Sequence, residues 1–367
     1  MATSSRSIFS HILFNRIRKL DGYLPAVFFF GGFIWDALTI GRNVAALDLF
    51  IFAGYLLLAA FILFFTSRPS FILADATKLP ACLHWLYASR LPYFLLQFLF
   101  GSLLSALFIL YFKSANHWLA WLMAFLLAIL LIANEFLENH YRRFTLSWAL
   151  FGLCAMLLFN FVLPFVLGSV HAAWFYISTL MGAGFAYWLY TKTPNHMGSI
   201  YPVWLLAGAL MLAYTSDMIP PVPLVKRDMA VAYALNKVNG EYQLSQQKSA
   251  WWVFWRNTSD DLVLQPNGRT AQRIYCFSSI FAPQGLKTRL YHRWQKQTKT
   301  GWQTQSHIGF SLNGGRYNGF RGYTYKQNLS AGDWRVLVET ENQKTIAIHR
   351  FSLKASQQAP QKVLISY

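Results

Sequence analysis

The stretch IYPVWLLAGALMLAYTSD, residues 200–217, divides this chain into two parts of different chemistry. Upstream of it, apolar runs follow one another with few charges between them. Downstream of it, the sequence contains no apolar run that could cross a bilayer, which requires about 20 residues. The stretch is therefore predicted to be the last transmembrane helix and the tether of a C-terminal soluble domain.

Composition separates the same two parts. Of the 367 residues, 55% are hydrophobic and 13% are charged, whereas about 25% of a soluble domain is charged. Residues 1–217 hold 12 Lys and Arg against 7 Asp and Glu, a net charge of +5, and residues 218–367 hold 20 against 7, a net charge of +13. A basic domain of this kind favours anionic neighbours such as lipid head groups, acidic glycans or nucleic acid.

Seven apolar runs predict a transmembrane bundle of about seven helices. With the amino terminus in the cytoplasm, ten Lys and Arg fall in inner segments and two in outer loops, which is the asymmetry of the positive-inside rule. Seven crossings then place the C-terminal domain outside the cytoplasm, which is the periplasm if the source is a Gram-negative bacterium, and argue against nucleic acid as its partner. The runs are 23–40, 47–65, 91–112, 118–133, 148–167, 173–190 and 200–216.

From about residue 250 the hydrophobic pattern has a period of two, and clusters of Gly, Pro, Asn and Asp interrupt it. Short strands at this spacing predict an all-β, sandwich-like extracytoplasmic domain. In one predicted strand Trp334, Val336 and Val338 share a face, while Arg335 and Glu339 share the other. The predicted organisation is a cytoplasmic segment (1–22), a transmembrane bundle (23–217), a proline-rich linker and connecting segment (218–249), a β-sandwich domain (250–354) and a tail (355–367).

Short motifs in the C-terminal part follow a fixed order: YHRW at 291–294, GGR at 314–316, GFR at 319–321, GDWRV at 332–336 and Phe351. This order resembles a bacterial family known as domain of unknown function 2914, over about 277–353. The membrane part is similar to a partner family, domain of unknown function 5924, through YFKSA at 111–115 and NEFLE at 134–138. The resemblance implies a bacterial inner-membrane protein with a small β-domain, and it implies no activity.

Aromatic residues alternate with arginines in the C-terminal part, and such a surface can stack on sugar rings while it pairs with anionic groups. The alternative is that about half of these aromatic residues form the core. Both faces of the strand around 290–294 carry aromatic side chains and only one can be core, so some aromatic surface should remain exposed near 316–321. The predicted binding residues are Tyr291, Arg293, Arg316, Phe320 and Arg321.

Three acidic residues of the membrane part are candidates of another kind. Asp36 lies inside the first apolar run, and ionisable groups at such positions often serve as proton or ion relays. Glu135 and Glu138 lie at the inner end of the fourth run, where paired carboxylates can perform acid–base chemistry or hold a metal. The structural alternatives are a residue near the bilayer boundary for Asp36 and a solvated salt-bridge cluster with Arg142 for the two glutamates.

The sequence predicts no catalytic residue, metal site or cofactor. Its three cysteines are far apart, so neither a metal site nor a disulfide framework is indicated, and no nucleophile motif occurs. The favoured hypothesis is a non-enzymatic inner-membrane protein whose extracytoplasmic β-domain binds an envelope partner, either an anionic glycan or a protein. The alternative is a transporter or a membrane-embedded enzyme with its site in the helical bundle.

Overall fold

The structure is a computed structural model with six helices followed by eleven strands among the residues that it describes. Besides the two helical residues Ile34 and Asp36, it describes 46–67, 91–114, 118–136, 144–193, 197–247, 258–264, 272–282, 285–313, 319–356 and 362–367. The first predicted run, 23–40, therefore lies almost entirely outside the described residues.

The six helices coincide with the other six predicted apolar runs. Three segments are long and apolar enough to cross a membrane, namely Ala46–Thr66, Leu95–Phe112 and Thr145–Leu167, and the apolar segments Ala120–Ala133 and Tyr201–Thr215 are shorter. The helices are α1 (Ala46–Thr66), α2 (Leu91–Ser114), α3 (Trp118–Phe136), α4 (Thr145–Leu167), α5 (Ala172–Thr191) and α6 (Tyr201–Thr215).

Helices α4 and α5 pack almost backbone to backbone. A Cβ atom added at Gly182 would lie 2.6 Å from the Cα atom of Met156, whereas one added at Gly184 would meet nothing within 4 Å. Close to this contact, the Ser178 hydroxyl of α5 donates a hydrogen bond to the Asn160 side-chain carbonyl of α4. Glycine at 182 thus permits the approach, as small residues do between apolar helices.

The β-region, as we call strands β1 to β11, begins at Val225. This start precedes the expected boundary at 250, because residues 225–247, predicted as connecting segment, form three strands, and residues 362–366 of the predicted tail form another. The strands are β1 (Val225–Ala232), β2 (Ala234–Val238), β3 (Glu241–Gln247), β4 (Thr258–Leu264), β5 (Ile274–Phe281), β6 (Lys287–Thr298), β7 (Gly301–Asn313), β8 (Phe320–Lys326), β9 (Gly332–Thr340), β10 (Thr345–Ala355) and β11 (Lys362–Ser366).

The described strands form three sheets, ordered β1-β5-β8, β4-β10-β9-β6-β7 and β11-β3-β2. The first two share one apolar core, to which Cys276 of β5 and Trp294 and Val336 of the five-stranded sheet contribute. The third sheet packs on the other side of the first, where Leu244 lies in a small cluster with Phe277. Because β-strand side chains alternate, the five-stranded sheet keeps one face outside this core.

A short buried segment connects the bundle to the β-region. The sequence predicts a stiff, extended linker around Pro220–Pro223, but these prolines are buried. Ile219 and Val222 belong to the apolar core of the helices, together with Phe281 of β5. The amide of Lys287 at the start of β6 donates a 3.0 Å hydrogen bond to the carbonyl of Gly168 after α4. The β-region is therefore in direct contact with one end of the bundle.

Lys344, in the turn between β9 and β10, caps the last helix. Its Nζ atom donates to the backbone carbonyl of Tyr214 and, at 3.3 Å, to that of Thr215. It also lies 4.6 Å from the centre of the Tyr214 ring and 3.9 Å from Oδ1 of Asp217. The last carbonyls of a helix lack intrahelical partners and carry partial negative charge, so a lysine here stabilises the end of α6.

Candidate anion-binding face

The outer face of the five-stranded sheet concentrates arginine and aromatic side chains. Strand β6 explains why, because Leu290, His292 and Trp294 are fully buried in the core and the alternating residues must point the other way. The arginine face, as we call it, consists of Tyr291, Arg293 and Gln295 on β6, Trp302 and His307 on β7, Arg335 and Glu339 on β9, and Arg350 on β10.

Two arginines oppose each other at the centre of this face. Arg335 is the direct cross-strand partner of Arg350 on one side and of Gln295 on the other. Like charges in such positions destabilise a sheet. Burial lowers the pKa of Arg335, and the positive charges of Arg350 and Arg293 lower it further. The sheet thus holds positive charges together at a cost in stability.

The Arg335 guanidinium is fixed in orientation by two contacts. Its Nε donates a 2.7 Å hydrogen bond to Oε1 of Gln295. Its central carbon, Cζ, lies 4.4 Å from the centre of the Trp302 ring, within the range of a cation–π interaction. Neither contact uses the two terminal nitrogens of Arg335. These nitrogens therefore form a pre-oriented pair of donors for a carboxylate, sulfate or phosphate.

Arg293, a predicted binding residue, is instead engaged by a buried acid. Its Nη2 atom lies 2.7 Å from Oε2 of Glu339 and donates a 3.0 Å hydrogen bond to Gln343. The Glu339 side chain is only 2% exposed. Burial raises the pKa of Glu339 to about 7, although the charge and the hydrogen bond of Arg293 act in the opposite direction. The positive charge of Arg293 therefore already pairs with the carboxylate of Glu339 in the absence of a ligand.

Tyr291, the second predicted residue on this face, lies flat against β7. Its ring stacks on His307 with centroids 4.5 Å apart and 13° between the planes. A Cβ atom at Gly309, the cross-strand partner of Tyr291, would lie 2.9 Å from the ring, so glycine there makes room for it. Burial and the charge of Arg293 lower the pKa of His307. The stack extends the aromatic part of the face beyond Trp302.

A serine–histidine pair also occurs, but in the core. Both nitrogens of His292 lie 2.9 Å from hydroxyl groups, Nε2 from Ser278 and Nδ1 from Thr324. Trp294 Nε1 donates to the same Thr324 hydroxyl at 3.1 Å. Burial lowers the pKa of His292 to about 3, so it stays neutral. Since all these groups are buried, the network ties the two sheets together and offers no access to a substrate.

The other predicted binding residues lie elsewhere. Phe320 and Arg321 are on β8 in the β1-β5-β8 sheet, where Phe320 is partly buried and packs against the core. Arg321 Nη1 donates a 3.2 Å hydrogen bond to the carbonyl of Gly240, in the turn between β2 and β3. Arg316 lies outside the described residues. Of the four predicted binding residues that the structure describes, Tyr291 and Arg293 lie on the arginine face, to which the structure adds Arg350, which sequence reasoning missed.

The acidic candidates of the membrane part are described only in part. Asp36 accepts a 2.9 Å hydrogen bond from the hydroxyl of Ser105, in the middle of α2. Glu135 falls within α3, but its side chain and all of Glu138 lie outside what the structure describes. The hydrogen bond between Ser178 and Asn160 was not anticipated, because single uncharged polar residues in apolar runs give little signal.

Among solved structures, matches with low similarity were found. A β-glucosidase from Listeria innocua in complex with glucose is 10% identical with a TM-score of 0.19, and the match covers 35% of this chain and 16% of that one. An immunoglobulin-like protein from Pseudomonas aeruginosa is 10% identical with a TM-score of 0.21, covering 36% and 98%. An alkylpurine DNA glycosylase from Pseudomonas fluorescens is 11% identical with a TM-score of 0.21, covering 85% and 100%. These scores assign neither a fold nor a function.

One protein-family model matches the part of the chain that forms the arginine face. No curated protein matches this sequence. The segment that contains every residue of the arginine face, 287–353, matches the model of a family described as "Protein of unknown function (DUF2914)".

Proposed function

We propose that this chain is a non-enzymatic, multi-pass membrane protein whose β-region binds an anionic glycan of the bacterial envelope through the arginine face. The observation that carries the proposal is the opposed pair Arg335 and Arg350, with the Arg335 guanidinium held by Gln295 and Trp302. A bound anion relieves the repulsion between the two arginines, and the fork of Arg335 fits a planar acidic group. A protein partner is the competing reading.

The proposed topology has seven crossings, a cytoplasmic amino terminus and a periplasmic β-sandwich. The end of α4 at Gly168 and the end of α6 at Tyr214 both contact the β-region, which fits helices that alternate in direction and finish on one side. The core shared by two sheets supports the sandwich. A C-terminal alkaline phosphatase fusion should be active and a C-terminal green fluorescent protein fusion dark, and the reverse result contradicts this sidedness.

Binding is best tested with the full chain in lipid nanodiscs. The double substitution Arg335→Gln and Arg350→Gln should abolish most binding to polygalacturonate, while neutral dextran should bind to neither protein. A matched control, Lys299→Gln with Lys362→Gln, removes the same charge from exposed positions outside the face and should retain binding. Because the contact is ionic and exposed, raising the salt from about 0.1 to 1 M should weaken it. Equal loss in both double variants would mean that only net charge matters.

A second candidate function, transport or membrane-embedded catalysis, is favoured by one contact. The pair of Asp36 and Ser105 puts an ionisable group against the middle of an apolar helix, where such groups are expensive and often functional. In vesicles, Asp36→Asn should then stop proton or solute flux and leave binding of polygalacturonate unchanged. Ser105→Ala should have a smaller effect of the same kind. Normal flux in Asp36→Asn would exclude this function at that residue.

A further inference from the structure

The face of the β1-β5-β8 sheet that packs against the third sheet also carries a second group of rings, which the third sheet covers only in part. Cys276 and Thr324 point into the core shared with the five-stranded sheet, so Tyr275 on β5 and Tyr323 and Tyr325 on β8 point away from that core. Tyr323 is 44% exposed and Tyr325 is 47% exposed. The Tyr275 ring centre lies 6.3 Å from that of Tyr323 and 5.7 Å from that of Tyr325. We call these three residues the tyrosine face.

Cations stand at both ends of this face. The Arg273 guanidinium lies 5.4 Å from the centre of the Tyr325 ring. At the other end, Tyr242 lies 6.1 Å from Tyr323, and Lys237 lies 5.6 Å from the Tyr242 ring. The rings therefore form a row that is apolar along its length and positive at its ends. An identical, equally positive face on a second copy would be repelled, so charge favours a neutral or acidic occupant.

The position of the tyrosine face argues against the bilayer surface as its occupant. Phe281, at one end of β5, belongs to the apolar core of the helices, and Tyr275 lies six residues away on the same strand. At about 3.3 Å per residue, the two are separated by about 20 Å along the strand. The tyrosines are thus held away from the bundle, where a soluble or polymeric ligand can reach them.

We propose that the tyrosine face is a saccharide-binding site, in which pyranose rings stack on Tyr323 and Tyr325 while Arg273 pairs with an acidic group of the sugar. One face of a pyranose ring carries mainly C–H groups, and it loses contact with water when it covers an exposed aromatic ring. The tyrosine hydroxyl stays solvated at the edge of that contact. This site lies on a different sheet from the arginine face. Its affinity comes mainly from stacking, and the charge of Arg273 adds to it for an acidic sugar.

Calorimetry of the full chain in lipid nanodiscs tests the proposal, with no sugar-headed detergent present because such a detergent would compete. Tetragalacturonate and chitotetraose should both bind, the acidic one more tightly. In the Arg335→Gln and Arg350→Gln variant, in which the arginine face no longer contributes, the double substitution Tyr323→Ala and Tyr325→Ala should weaken both at least roughly tenfold. In the same variant, Arg273→Gln should weaken only tetragalacturonate. Failure of both sugars to bind, or binding that the double substitution leaves unchanged, overturns the site.

Two further variants separate this site from a folding defect and from the arginine face. Tyr323→Phe with Tyr325→Phe keeps the rings and should retain binding of both sugars. The variant with Arg335→Gln and Arg350→Gln should bind chitotetraose as the unaltered protein does, because that sugar carries no acidic group. Loss of chitotetraose in either variant contradicts stacking at the tyrosine face. Amide hydrogen exchange in β8 reports whether the alanine variant remains folded.

Discussion

The helices and the β-region of this chain differ in where their large apolar side chains lie. In the helices, large apolar side chains such as Phe50, Leu205 and Leu212 are more than 70% exposed. In the β-region, Trp294 and Val336 are fully buried and the exposed surface carries most of the charge. Exposed apolar side chains on this scale are expected of helices that lipid surrounds, whereas the β-region has the pattern of a domain in water. The difference is compatible with helices in a membrane and a β-region in water.

The largest expected effect lies in the core of the β-region. Trp294→Ala removes a fully buried ring that also donates a hydrogen bond to Thr324, and truncation of a core tryptophan costs about 3–5 kcal/mol. Denaturation of the chain in nanodiscs should show the strands unfolding at lower urea while the helical circular dichroism persists. Tyr325→Ala, at an exposed position, should leave the urea midpoint nearly unchanged. Joint loss of helices and strands would mean that the contact through Phe281 couples the unfolding of the two regions.

The next effect concerns the helices alone. Gly182→Ala puts a methyl group 2.6 Å from the backbone of Met156, so α4 and α5 must separate, and overpacking of this kind costs about 1–3 kcal/mol. Gly184→Ala, two residues along the same helix, meets open space and is the matched control. The midpoint temperature of thermal unfolding, measured by helical circular dichroism, should fall only in the Gly182→Ala variant. Equal melting of the two would mean that the close contact does not limit stability.

A smaller effect depends on pH. The pKa of Glu339 is raised from 4.5 to about 7, so between these values the folded state binds more protons than the unfolded state. Its contribution to stability is fully present below pH 4.5 and is lost as the pH rises through 7, by on the order of 1–2 kcal/mol.

Glu339→Gln should remove most of this slope in urea midpoints measured from pH 4 to pH 8. Glu341→Gln, at an exposed position in the turn that follows β9, should retain it. A slope that survives in Glu339→Gln would assign the pH dependence to another group.

The smallest effect lies at the contact between the two regions. Lys344→Met keeps most of the side-chain stem but removes the charge that caps α6, which should cost about 1 kcal/mol locally. Amide exchange of residues 212–217 should accelerate, while exchange in β6 should not. Lys354→Met, at an exposed position on β10, is the control. Unchanged exchange at 212–217 would show that Asp217 and water hold the helix end without the lysine.

The helices could be predicted because length and hydropathy alone determine them. Strand β9 could also be predicted, since Trp334, Val336 and Val338 recur at every second position and are buried as expected. Strand β3 could not, because EYQLSQQ is polar on both faces and buries little besides Leu244 and Gln246. Its pairing with β2 and β11 comes from tertiary context, which overrides such weak local preference.

The candidate site shows the same limit. Arg293 and Tyr291 could be placed on one face from alternation alone, but the acid that engages Arg293 lies on a strand whose register no local pattern reveals. Arg321 was expected to be available for a ligand, yet its partner Gly240 is 81 residues away in the sequence. Arg335 and Arg350 come together only because the turn between them sets the register of β9 and β10. Sequence spacing therefore finds the residue types and misses their pairing.

The buried prolines between the last helix and the first strand have a mechanical consequence. A flexible linker would let the β-region change its position relative to the helices. Here Ile219 and Val222 are packed among the helices, so the linker restricts that movement. A force applied to the strands would accordingly be transmitted to the last helix.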